Sequence, residues 1–236
     1  MSVYYRTQGF FIEKADQGES NQLFTIYTKD FGKLDTICRA VRKIKSKLRG
    51  GAELFYLSEV EFIQGKAYKT LTDSVLIERF PNIRGCFEKL VVARKISQAL
   101  KRLVNGQEPD KEVWALLNEV FEKLDSQNSK FIYYYFLWNL FKILGYQPKL
   151  YQCALCLDKL RPEILYFGLA EGGVVCKKCF KETREVEKIN AEAVKVLRLF
   201  VNRDWEILSR LKIDAGTQEF LEKVSENYLS EILNKN

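Results

Sequence analysis

The chain contains no histidine in 236 residues, one methionine and only four prolines. Without imidazole there can be no Ser-His-Asp or Cys-His catalytic arrangement and no mixed nitrogen–sulfur metal site. Neither a Gly-x₄-Gly-Lys-[Ser/Thr] loop nor a Gly-x-Gly-x-x-Gly turn after a strand occurs, so the common nucleotide cradles are excluded. The longest apolar run, Phe131 to Leu144, is interrupted by Asn139 and Lys142. A bilayer needs about 20 apolar residues, so this run reads as a buried core helix. Met1 to Arg6 lacks the basic-then-apolar pattern of a secretory leader. Acid pairs such as Glu59 and Glu61 share a strand face and read as solvated surface. No catalytic residues, and no enzyme, are expected.

What is present is distributed unevenly. Apolar residues make up 47% and charged residues 29%, the balance of an ordinary globular chain. Of the six cysteines, four form two pairs, Cys153-x-x-Cys156 and Cys176-x-x-Cys179, with nineteen residues between them. That is the spacing of a closed structural zinc site, in which each pair supplies two corners of a tetrahedron. Redox or disulfide pairs are the competing reading. Gly172-Gly173 and Lys177-Lys178 favour the metal, since they supply turns and positive charge beside thiolates. One structural Zn²⁺ is therefore expected, with no open position for chemistry. Cys38 and Cys86 read as buried thiols, and unpaired thiols point to a reducing, cytoplasmic compartment.

The net charge is +7, and the segment from Lys29 to Arg49 holds eight bases against two acids, leaving about one positive charge for the rest of the chain. Read as extended chain, Arg39, Lys43, Lys45, Lys47 and Arg49 share one side, with Ile44 and Leu48 as anchors on the other. Such a row can neutralise successive phosphates with little sequence preference. A solvated loop is the bland alternative.

Five β-leaning stretches precede residue 80: Tyr4 to Lys14, Gln22 to Thr28, Leu34 to Val41, Leu54 to Ile63 and Tyr68 to Phe80. Turn signals separate them. Five short strands close most often as an OB-fold, with an SH3-like barrel as the alternative. Tyr4, Tyr5, Phe10, Phe11, Phe24, Tyr27 and Tyr68 could stack bases, but a barrel this small needs most of them inside, leaving one or two at most. Helical periods follow from Leu90 to Leu103, from Pro109 to Leu124, from Ser129 to Leu144, and again over 191–201, 205–211 and 217–233. The expected class is α+β. An OB-fold barrel spans 1–80, a helical domain spans 81–150 and 181–236, and a Cys₄ module at 151–180 interrupts it.

The stretch from Ile12 to Thr28 with Gly32-Lys33-Leu34 resembles the N-terminal signature of the bacterial RecO recombination mediators. So do Arg39 to Leu48, Gly145-Tyr146-Gln147-Pro148 with Leu150 leading into Cys153-x-x-Cys156, and Gly172-Gly173 ahead of Cys176-x-x-Cys179. Where the pattern expects Lys-Gly, this chain has Arg39-Ala40, which keeps the charge and alters the turn. The resemblance implies an OB-fold that binds single- and double-stranded DNA. It also implies strand annealing, association with RecR and with the single-stranded DNA-binding protein, and help in loading RecA. It places the DNA role on Lys33, Arg39, Arg42, Lys43, Lys45, Lys47 and Arg49, and the zinc role on Cys153, Cys156, Cys176 and Cys179. A groove for the single-stranded DNA-binding protein's acidic tail is expected on the helical domain, with Lys101 and Arg102 as rim candidates. The alternative is a protein–protein adaptor whose barrel is only scaffold.

Overall fold

Aromatic and β-branched residues over the first eighty positions roll into a five-stranded barrel. In this computed structural model residues 3–39, 47–65, 68–127, 130–161, 164–183 and 185–235 are described, without the side chains of 47 and 49. The chain divides into two compact units, Met1–Asn128 and Ser129–Asn236.

In the first unit, strands β1 (Tyr4–Gln17), β2 (Asn21–Thr28), β3 (Gly32–Cys38), β4 (Leu57–Ile63) and β5 (Lys69–Glu78) close in the order β1-β2-β3-β5-β4. This is the expected OB-type barrel. The long first strand serves two neighbours, pairing with β4 from Tyr4 to Phe10 and with β2 from Gly9 to Gln17. A register shift between Phe11 and Glu13 supplies the bend. Closure comes from a short parallel contact, Thr36 with Lys69 and Ile37 with Thr70. The barrel is filled by Phe11, Phe24, Ile26, Cys38, Leu48, Ala52, Val60 and Leu71.

Residues Lys47–Gly50 form a 3-10 turn, not extended chain. A period of about three residues replaces strand alternation over 47–50, so the extended-chain premise does not apply there. Leu48 does anchor the segment, since it joins the barrel core.

Three helices complete this unit: α1 (Pro81–Arg84), α2 (Phe87–Leu103) and α3 (Lys111–Ser126). Asp110, expected inside the first turn of α3, is its N-cap and accepts hydrogen bonds from the Glu112 and Val113 N–H groups. Asp125 near the end of α3 does the same for α1, accepting from the Asn82 and Ile83 N–H groups at 2.8 and 3.0 Å. Phe121 of α3 packs against Phe10 and Phe80, ring centroids 5.1 and 5.5 Å apart, fastening the helix to the barrel.

The second unit is built around α4 (Ile132–Ile143), whose residues from Ile132 to Phe141 are all buried. This is the buried core helix read from the run Phe131 to Leu144, which is apolar apart from Asn139 and Lys142. Trp138 donates its indole N–H to Ser225 Oγ at 2.9 Å and stacks on Tyr228. The one amide in this helix, Asn139, donates to the Tyr135 and Phe200 carbonyls, both at 2.8 Å, so its burial leaves no donor unmade. Helices α5 (Ala191–Val201), α6 (Trp205–Arg210) and α7 (Ala215–Lys235) belong to this unit. So does a sheet absent from the sequence reading, in the order β7-β6-β8: β6 (Leu165–Gly168), β7 (Gly173–Cys176) and β8 (Val186–Ile189). No helix among the described residues is long and apolar enough to cross a membrane.

Candidate metal centre and nucleic-acid interface

The two cysteine pairs sit on tight turns that the local sequence builds. In the first, the Cys153 N–H donates to the Asp158 carbonyl at 2.8 Å and the Leu157 N–H to the Cys153 carbonyl at 3.0 Å. In the second, which follows β7, the Cys179 N–H donates to the Cys176 carbonyl at 3.1 Å. The paired glycines bring the two turns together. Gly172 has φ +62°, and a side chain at Gly173 would strike the Lys149 backbone, its Cβ 2.6 Å from that carbonyl oxygen. That close approach allows Val174 N–H to donate to the Lys149 carbonyl at 2.8 Å.

All four Sγ atoms lie within 4.8 Å of one another, and Cys156 and Cys176 are 3.9 Å apart. Tetrahedral sulfur at about 2.3 Å from zinc puts neighbouring sulfurs about 3.8 Å apart, so the arrangement fits such an ion. The Cys176 N–H points at Cys153 Sγ at 3.4 Å, the kind of donor that stabilises a thiolate. Four sulfurs and no other ligand make a closed site. It can hold a metal ion and shape the chain around it.

As thiols the four differ. Burial pushes Cys153 up, but N–H groups of Cys176, Cys156 and Leu155 outweigh it and hold the thiol down at about 7. Burial, followed by Cys176 and Cys156, pushes Cys179 up to about 12. Thiolates are the ligands, so binding expels protons and acid reverses it. Lowering the pH from 8 to 5 is expected to release the metal, followed with a chromophoric chelator. Occupancy that stays flat across that range would place the ion elsewhere.

The expected DNA residues are placed as follows. Arg39 is exposed directly after β3. Lys33 donates its Nζ to the Lys101 and Val104 carbonyls at 2.9 and 2.5 Å, tying β3 to the end of α2. Burial lowers its pKa, which Asp35 opposes and Lys101 reinforces. Lys47 and Arg49 stand in the 3-10 turn, while Arg42, Lys43 and Lys45 lie outside the described residues. Both flanks of the stretch 39–47 are set in the barrel, Cys38 at 0% exposure before it and Leu48 at 9% after it. Of the aromatic candidates, Phe10, Phe11, Phe24 and Tyr27 are core, whereas Tyr4, Tyr5 and Tyr68 remain at the surface. Lys101 is engaged with Glu13 at 2.5 Å and Arg102 is exposed. Cys86, expected to be buried, is only partly so and donates to Glu88 at 3.0 Å. It opens α2 beside polar neighbours and not in an apolar core.

A barrel with a basic insertion, followed by helices around a four-cysteine module, matches known proteins along its whole length. Residues 1–80 match the model for the N-terminal part of recombination protein O, and residues 84–236 the model for its C-terminal part. The chain belongs to the RecO family. A DNA repair protein RecO of Dehalococcoides mccartyi (strain ATCC BAA-2266 / KCTC 15142 / 195) is 33% identical over 211 residues, covering 89% of this chain and 83% of the relative. Another, from Acetivibrio thermocellus, is 28% identical, covering 99% and 93%. A third, from Caldanaerobacter subterraneus subsp. tengcongensis, is 25% identical, covering 96% and 92%. Membership of this family assigns the chain to DNA repair and recombination.

Proposed function

We propose that this chain is a recombination mediator that binds single- and double-stranded DNA and anneals complementary strands. With RecR and the single-stranded DNA-binding protein it helps load RecA on coated gaps. The observation that carries the DNA reading is the basic stretch 39–47, held between two residues of the barrel core. A run of cations whose flanks are fixed loses less freedom on meeting a backbone than a free tail would. DNA contact is assigned to 1–80 through Arg39, Arg42, Lys43, Lys45, Lys47 and Arg49, with Lys33 fixing the strand that leads into them. Partner contacts fall to the helical segments 81–150 and 181–236, and the metal to 151–180. Zinc is the metal of choice for four thiolates in a closed tetrahedron, and its role is to fold the module.

Annealing of this kind requires no catalytic residue. Two strands repel through their phosphates, and a cationic surface that holds both screens the repulsion and raises their local concentration. Base pairing supplies the free energy. Work of this kind places the protein in the cytoplasm, at the nucleoid during repair.

A protein-partner role is favoured by one observation, the exposure of Phe87 (76%) and Val91 (41%) one turn apart on α2. An adaptor alone would bind proteins and ignore salt. Binding to single- and double-stranded oligonucleotides, titrated with salt, separates the two readings. Log affinity should fall linearly with log salt for both, and no affinity at 50 mM salt would sink the mediator reading.

A further inference from the structure

We infer that the four-cysteine module carries a second contact for a nucleic-acid backbone, a recess that takes a single strand by its phosphodiesters. The inference rests on the DNA-binding reading and adds a site to it. The recess has a volume of about 740 Å³ and is lined by two segments, Asp158 to Arg161 after the first cysteine pair and Cys176 to Lys178 inside the second. Lys159, Arg161, Lys177 and Lys178 face it together, against the single acid Asp158. All four cations are exposed, and none forms an ion pair among the described residues. Some cations elsewhere are engaged, among them Lys14 with Glu53, Lys101 with Glu13 and Lys223 with Glu187.

A divalent ion on four thiolates leaves a charge of −2 beneath the recess. Four cations and one acid exceed that, so the recess stays positive with the metal in place. Its backbone is held by the cysteine turns and by the bridge between Gln152 and Lys159, which presents the four side chains from a fixed base. The only apolar side chain in the lining besides the cysteine is the half-buried Leu160. An acidic peptide with hydrophobic anchors therefore finds no socket. A phosphodiester chain needs none, and the planar fork of Arg161 suits a phosphate. An annealing protein must hold two strands, and this recess gives the second unit cations of its own besides the basic segment carried by the first.

The test uses the full-length, metal-loaded protein and a variant with Lys159, Arg161, Lys177 and Lys178 all replaced by glutamine. Anisotropy of a labelled oligothymidylate is titrated with salt. Each lost phosphate contact lowers the slope of log affinity against log salt by about 0.7 for a single strand, so a drop of about 2 to 3 is expected. Annealing of complementary oligonucleotides should slow as well. An unchanged slope and annealing rate beside a wild type that binds would overturn the recess while leaving the barrel's role intact. A wild type without salt-dependent affinity would instead sink the DNA reading itself. Pyrophosphate and a polyglutamate peptide are titrated in parallel. If the variant loses one of these ligands but keeps the oligonucleotide, the recess serves a small anion or an acidic peptide and the proposal is overturned. Should elemental analysis show that the variant has lost its metal, the wild type is photo-crosslinked to a 4-thiothymidine oligonucleotide. Adducts on peptides containing Lys159 and Arg161 or Lys177 and Lys178 are expected. Adducts on the barrel alone would overturn the proposal.

Discussion

Replacing Lys43, Lys45 and Lys47 together by glutamate is expected to abolish DNA binding at moderate salt. The substitution changes the charge of the Lys29–Arg49 segment from +6 to zero, because each replacement removes one positive charge and adds one negative. If three phosphates are released, the salt slope on a single strand falls by about 2, and added repulsion weakens binding further. A loss of about two orders of magnitude or more in affinity should appear in a gel shift at 100 mM salt, while the melting temperature stays near that of the wild type. The stability control is meaningful because the residues that seat the segment, Cys38 and Leu48, are untouched. Binding that survives the triple reversal would rule this segment out as the DNA contact.

The second large effect concerns the metal. About one zinc per chain is expected by elemental analysis, and Cys153→Ser should lose most of it. Cys153 is fully buried, accepts the Cys176 N–H and sits in a small core with Ala154, Val175 and Cys179. Structural zinc contributes on the order of 10 kcal/mol to the folding of small modules, far more than this cluster of a few apolar residues could replace. Serine in place of the thiolate should therefore melt 151–180 locally and make it sensitive to protease. The neighbouring helices provide the contrast. Trp138, Tyr228 and Phe167 form one ring cluster, so loss of the module should loosen β6 from α7. A variant that keeps full metal content and full stability would contradict the assignment of these thiolates.

Long, periodic elements were legible from the sequence. The five barrel strands and the helices at α2 to α5 could be read because each repeats its apolar spacing for two turns or more, or alternates over at least seven residues. The cysteine spacing likewise announced its site, since four ligands of one kind in two short pairs admit few other geometries. Three features escaped. Strands β6 to β8 have four residues each and are specified by pairing within the module, too short for any period to show. The 3-10 turn at Lys47–Gly50 depends on Leu48 reaching the barrel core, a tertiary contact that overrides the apparent alternation of the basic run. The resemblance alone assigns Lys33 to DNA, and nothing in the sequence shows that its ammonium also closes the carbonyl end of a helix some seventy positions away in the chain. Charge can be read from sequence, but what a charge touches cannot.

The burial of α4 carries a consequence for synthesis. Its partners Phe200, Ser225 and Tyr228 all come later in the chain. While a ribosome is still translating α5 to α7, the barrel with its own helices has everything it needs to collapse. The stretch from Ile132 to Phe141, by contrast, has emerged with its sticky surface bare. That interval, set by chain order and not by final stability, is when a nascent copy is most exposed to aggregation and most in need of a chaperone.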